Sequence, residues 1–137
     1  MILVDSNVLL DIWQADPDWH KWSKDQLRKQ SIIDELAINP IIYAEISVSF
    51  AAPGTLDTRL EELGVVVLNI PRSAAFLAGK AFVQYRRKGG TKSNVLGDFF
   101  IGAHALVLGY SLLTRDTRRY SAYFPSLRLI APHPPIC

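Results

Sequence analysis

The sequence predicts an α/β fold, a three-layer α/β/α arrangement around a central parallel sheet of about five strands. Three observations carry this expectation. Short apolar runs, several of them β-branched, recur at residues 2–4, 36–38, 65–68, 111–114 and 127–130. Stretches of helical period separate them, and several of these open on a capping residue or close on glycine. Strand–helix alternation of this kind builds an open parallel sheet with helices on both faces, and ligands then bind just beyond the carboxyl ends of the strands.

In chain order, Ile2-Leu3-Val4 is the first strand, and Val8-Leu9-Leu10 leads a short helix to Trp13. Asp16-Pro17 supplies a cap and a first-turn proline, so a second helix is expected from there, with Trp19, Trp22 and Leu27 toward one side. Leu36-Ala37-Ile38 is the second strand. Asn39-Pro40 repeats the cap-and-proline start for a helix through Ile41, Ile42, Glu45, Ile46 and Val48. Pro53-Gly54 interrupts the chain before a helix ending near Gly64. The run Val65-Val66-Val67-Leu68 is expected to be buried on both faces of the sheet. A long helix from Pro71 to about Arg87 stops at Gly89-Gly90, and another from about Gly97 to Leu108 is closed by Gly109. Ser111 to Thr114 and Leu127 to Ile130 complete the sheet.

A chain of 137 residues, nearly half of them apolar, suits one domain spanning 1–137. Its slightly positive mean hydropathy leaves apolar surface for a partner or for self-association. No run approaches the roughly 18 apolar residues of a membrane span. Asp5 interrupts the only candidate leader, and Cys137 is a lone cysteine, so a cytoplasmic protein is expected. A net charge of +2 is too small for a general field, so nucleic acid would be held by local basic patches.

The informative anomaly is acid in apolar company. Asp5 closes the first strand, and Asp116 follows the fourth in Leu112-Leu113-Thr114-Arg115-Asp116. Glu45 is flanked by Ile41, Ile42, Ala44, Ile46 and Val48, and Asp98 opens Gly97-Asp98-Phe99-Phe100-Ile101. Each has an ordinary reading, as a helix cap, an amphipathic-helix surface residue or a partner of the helix dipole. Four acids converging on one strand-end crevice would repel one another and take up protons unless a hard cation compensates them. Mg²⁺ or Mn²⁺ takes such oxygen ligands and can activate water for attack at phosphorus. His20, His104 and His133 share no zinc-ligand spacing with one another or with Cys137, and His104 reads as a core histidine.

The chain resembles the PIN-domain family, and within it the VapC-like ribonuclease toxins of toxin–antitoxin pairs. The resemblance rests on residues 2–10 (ILVDSNVLL), 39–46 (NPIIYAEI), 97–105 (GDFFIGAHA) and 112–116 (LLTRD), in family order over nearly the whole chain. It implies that Asp5, Glu45, Asp98 and Asp116 form the acidic metal site. Asn7 supports them by hydrogen bonds, and Thr114 supplies a hydroxyl beside the fourth acid. It also implies hydrolysis of RNA phosphodiesters, a cognate antitoxin that blocks the crevice, and a homodimer. Residues 53–91 carry no family motif.

Ser6 is expected to shape the turn or reach the metal or substrate, and Asp11 is either a fifth acid or a supporting carboxylate. Arg86, Arg87, Lys88 and Lys92 are read as an RNA-contacting loop or as cations on a helix terminus. Arg115, Arg118 and Arg119 flank Asp116 as further RNA contacts. Trp13, Trp19 and Trp22 serve either base stacking or a core or partner face. A phospho-receiver module lacks its acceptor, since the third strand ends in Asn69, and its lysine, since Pro132 follows the fifth. An aspartyl phosphatase would need an acid where Asn7 stands. A PIN nuclease of housekeeping RNA processing and a non-catalytic α/β binding module are the alternatives kept.

Overall fold

The computed structural model describes residues 1–92 and 95–132, which leaves His133 and Cys137 outside the described residues. The elements run β1 (Ile2–Val4), α1 (Ser6–Trp13), α2 (His20–Ile33), β2 (Leu36–Ile38), α3 (Pro40–Ile46) and α4 (Pro53–Leu63). They continue with β3 (Val65–Val67), α5 (Arg72–Arg87), α6 (Leu96–Leu108), β4 (Ser111–Leu113), α7 (Arg118–Tyr123) and β5 (Leu129–Ile130). All strand pairs are parallel, in the order β3-β2-β1-β4-β5. The expected three-layer α/β/α fold is therefore the one observed.

This order fixes where a site can form. From β1 the chain winds outward through β2 to β3, then crosses back to place β4 against the other side of β1. β1 and β4 thus flank the switch in winding direction, where the covering helices diverge and leave a crevice at the strands' carboxyl ends. Val4 is in register with Leu113, and the Asp5 amide donates to the Leu113 carbonyl at 2.9 Å. The residues that follow these two strands therefore emerge side by side.

The core holds this frame rigid. Leu3, Val4, Ala37, Ile38, Leu112 and Leu113 are fully buried at the sheet's centre. Helix α6 buries Phe99 and then Ile101 through Ala105 without a break, so it lies within the core, not on its rim. Gly109 closes it with φ +72°, the left-handed conformation expected of a helix-ending glycine. At the start of α3, the Asn39 side chain accepts from the Ile42 amide at 2.9 Å and Pro40 occupies the first turn, as expected.

Several boundaries depart from expectation for physical reasons. The expected burial of residues 65–68 on both faces does not hold: Val65 is buried, but Val66 and Val67 are 45% and 48% exposed. β3 is the edge of the sheet, and an edge strand keeps one side open. Asp16 does not cap α2 directly. Its carboxylate accepts from the Asp18 and Trp19 amides at 2.9 Å each, closing a turn that delivers the chain to a helix starting at His20. Helix α3 ends at Ile46 and tightens into a 3₁₀ turn over Ser47–Ser49. Thr114 leaves β4 to bond sideways, and β5 is two residues long.

The three tryptophans pack. Trp13 meets Phe50 edge to face at 5.1 Å, and Trp19 meets Trp22 in the same way at 5.9 Å. Apolar side chains also stand exposed at the end of α2 (Ile32 and Ile33), on β3 and on α5 (Phe76 and Val83). Among the described residues, no helix is long and apolar enough to cross a membrane.

Candidate active site

Asp5 is the hub. As the last extended residue after β1 it caps α1, accepting from the Ser6 amide at 2.8 Å. Its other oxygen takes the hydroxyls of Thr114 and Tyr120, each at 2.9 Å, and the Asn7 amide at 3.3 Å. Thr114 in turn accepts from Asn7 at 3.1 Å and from the Asp116 amide at 3.1 Å. The Asn7 side-chain oxygen, Oδ1, accepts from the Arg115 backbone amide at 3.2 Å. This network ties the end of β1 to the loop after β4 and fixes both. Burial pushes the Asp5 carboxyl up to about 6, against the pull of Thr114 and Tyr120, and the Asp98 charge adds to the rise.

Glu45 reaches the same crevice from α3. One of its oxygens, Oε1, is buried with no hydrogen-bond partner. The other lies where α6 begins: a side-chain carbon at Gly97 would stand 3.5 Å from Oε2. Burial pushes this carboxyl up to about 7; the Ser6 hydroxyl offsets part of that, while the Asp5 and Asp98 charges reinforce it. Asp98, in the first turn of α6, is raised by burial and held down by an ion pair with the Arg119 guanidinium, with the charge of Asp116 raising it again. Asp116 is exposed at the mouth and accepts from the Arg118 amide at 3.3 Å.

The charges of Asp5, Glu45 and Asp98 thus act on one another, and Asp116 acts on Asp98. Four acids separated by up to 111 positions share one electrostatic environment. Among the described residues, no three His, Cys, Asp or Glu side chains stand close enough for a ready-formed metal cage. Arg119 supplies the positive charge at Asp98.

Asp11 is not among these acids. It is 3% exposed, accepts two bonds from the Arg115 guanidinium at 2.7 and 3.0 Å, and takes the Ser23 hydroxyl at 2.8 Å. Arg115 also lies 5.5 Å over the Trp19 ring, so its charge is committed to this pair. Arg86 packs over Phe82 at 5.0 Å and Lys88 over Tyr123 at 5.3 Å, while Arg87 is exposed at the end of α5. Lys92 and Arg118 face a cavity beside the acids. His104 is fully buried, its Nδ1 3.1 Å from the Asn39 amide nitrogen, and burial lowers its pKa; it is a core histidine.

Two contributors escaped the reading of the sequence. Tyr120 is buried, and its hydroxyl donates to Asp5; the Asp5, Asp98 and Glu45 charges hold its pKa above the usual value, behind the larger effect of burial. Arg119, expected as an RNA contact, also pairs with Asp98, a partnership not expected from the sequence. The signal for both was α7 itself, whose first turns follow Asp116 directly.

The PIN domain model matches residues 2–125, and the chain belongs to the PIN domain family. Solved structures share its fold. A chain of VapBC2 from Rickettsia felis, bound to a DNA fragment from its promoter, is 19% identical with a TM-score of 0.70, covering 96% of this chain and 98% of that one. VapBC-1 from nontypeable Haemophilus influenzae is 20% identical at a TM-score of 0.69, covering 96% and 98%. A toxin–antitoxin complex from Klebsiella pneumoniae is 22% identical at 0.58, covering 97% and 98%. No curated protein matches the chain in sequence.

Proposed function

We propose that this chain is a divalent-metal-dependent endoribonuclease and the toxin of a toxin–antitoxin pair. The observation that carries the reading is Glu45 Oε1, a buried acceptor with no hydrogen-bond partner, on a carboxyl whose pKa burial and then the Asp5 and Asp98 charges raise. Leaving such an oxygen unpaired is costly, and a hard cation is the partner an all-oxygen set of this kind suits. Membership of the PIN domain family supports nuclease chemistry, and the fold shared with VapBC and toxin–antitoxin chains supports the biological setting.

Asp5, Glu45, Asp98 and Asp116 would hold Mg²⁺ or Mn²⁺. When bound, the ion supplies a more acidic water and positive charge for the oxygens of an in-line displacement at phosphorus. The chain does the rest. Thr114, Tyr120 and Asn7 lock the Asp5 carboxylate in one orientation, leaving it no freedom to follow a misplaced ligand. Ser6 bridges Asp5 and the environment of Glu45. Asp116, at the open mouth, is the acid nearest to incoming substrate. Arg119 favours the ionised form of Asp98 against the burial that raises its pKa. An antitoxin would silence the site by placing a cation of its own among the acids. The apolar side chains exposed on α2, β3 and α5 offer surface for it and for a second copy of the chain. The setting proposed is the cytoplasm.

The test is cleavage of a panel of structured RNAs by purified protein with Mg²⁺, with Mn²⁺ and with chelator, alongside Asp5→Asn and Asp98→Asn variants. The reading expects cutting that needs metal and vanishes in both variants. Metal-independent cutting, or cutting that survives both substitutions, sinks it.

A further inference from the structure

A cavity of about 560 Å³ opens beside the acids, between the carboxyl end of α5 and helix α7. We propose that it seats one unpaired nucleotide of the substrate RNA, next to the phosphodiester to be cut; this rests on the nuclease reading above. Position is the first argument. Asp116 and Arg119 line the cavity and also belong to the acidic crevice, Arg119 through its pair with Asp98. Whatever fills the cavity therefore adjoins the acids.

Charge is the second. Lys92, Arg115, Arg118 and Arg119 line the cavity, Arg115 and Arg119 also paired with Asp11 and Asp98, and Asp116 is the one acid in the lining among the described residues. Cations thus outnumber acids in the lining, which favours an anion there. Such cations position a nucleic-acid backbone through its phosphates.

Shape is the third. The volume falls in the range of small-molecule sites, roughly 300–1,000 Å³. Proteins that read single-stranded RNA take splayed, unpaired nucleotides against aromatic side chains. Tyr85 and Tyr123 form the wall, their rings 6.3 Å apart and 67° from parallel.

The wall is built by the local sequence. Past the end of α5, Gly89 adopts φ +89°, and Gly90 then lies directly against Tyr85. A side-chain carbon at Gly90 would come within 2.4 Å of that ring. The chain can therefore fold down onto the tyrosine, and the Lys92 amide donates to the Tyr85 hydroxyl at 3.1 Å. Gly89-Gly90 thus does more than end a helix: it brings Lys92 to the rim. Arg86 and Arg87 do not line the cavity.

The experiment measures fluorescence anisotropy of a labelled single-stranded hexaribonucleotide, and of the same hexamer held in a hairpin stem. Both are titrated in chelator, so that nothing is cut, against wild type, the Lys92→Ala/Arg118→Ala double variant and a charge-matched Lys24→Ala/Arg28→Ala control on α2. All four side chains are exposed, so the fold is preserved. The proposal expects the cavity variant to bind the single strand about tenfold more weakly. Its slope of log affinity against log salt should fall by about 1.4, two phosphate contacts at about 0.7 each. The control should match wild type, and the stem should bind at least tenfold more weakly than the single strand. A cavity variant that binds like the control, or a stem bound as tightly as the single strand, overturns the subsite. If wild type still cuts RNA with Mg²⁺ in that event, the nuclease reading stands; a chain that neither binds nor cuts RNA takes both down.

Discussion

Replacing Glu45 by glutamine should stabilise the metal-free protein while abolishing its cutting. The carboxyl titrates near 7 in the folded chain against 4.5 for an ordinary glutamate. Each pH unit of that difference is worth about 1.4 kcal/mol, so full ionisation of the folded carboxyl costs about 3 kcal/mol in an unscreened setting. Glu45 is only half-buried, and screening by solvent brings the figure to about 1–2 kcal/mol. The sign follows from the raised value. Below pH 4.5 the carboxyl is protonated in both states and costs nothing; between about 4.5 and 7 only the unfolded state has released the proton, so the folded state loses stability across that window and the loss is complete above it. Glu45→Gln should therefore gain about 1–2 kcal/mol at pH 7.5 and a few tenths at pH 5. Urea unfolding in chelator at the two pH values measures this directly. A variant less stable than wild type at both would show that Oε1 is satisfied in a way the structure does not reveal, and would refute the reasoning. A residue whose neutralisation stabilises the fold is one kept for chemistry.

Thr114→Val removes the hydroxyl that joins Asp5, Asn7 and the Asp116 amide. It should cost about 1–3 kcal/mol by thermal unfolding and weaken Mn²⁺ binding about 10–100-fold by calorimetry. Tyr120→Phe deletes one bond to Asp5 and should raise the Asp5 pKa further. The acid limb of the cleavage–pH profile should then move to higher pH, and an unmoved limb would count against Tyr120 as a positioning residue. Asp11→Ala leaves the Arg115 guanidinium without its partner and should destabilise the fold by about 2–4 kcal/mol, with cleavage per folded molecule reduced much less. A larger loss of cutting than of stability would place Asp11 in the site after all.

The sequence carried those parts of the fold that depend on near neighbours. Asn39-Pro40 starts α3 and Gly109 ends α6 because a cap bonds within its own turn. Asp5 could be placed at a strand end, and Glu45 and Asp98 in apolar helices, since each contrast lies within a few residues. What escaped depends on long-range order. That β3 is an edge, with Val66 and Val67 exposed, follows from which strand pairs with which, and a run of valines reads the same at edge and centre. Tyr120 lies 115 positions from Asp5, and Arg115 104 positions from Asp11. Both partnerships arise only because β1 and β4 are neighbours. Arg115 and Arg118 are alike in sequence and both line the cavity, yet Arg115 is paired with the buried Asp11 while Arg118 is exposed.

The central claim is that four dispersed acids exist to hold a divalent cation, and titration of Mn²⁺ into metal-free protein, followed by calorimetry or by loss of the free-ion electron-spin signal, tests it most directly. The account predicts saturable binding by wild type that weakens at least tenfold in both Asp98→Asn and Glu45→Gln, with both variants folded. Wild type that takes up no Mn²⁺, or variants that bind it as tightly as wild type, would contradict the claim.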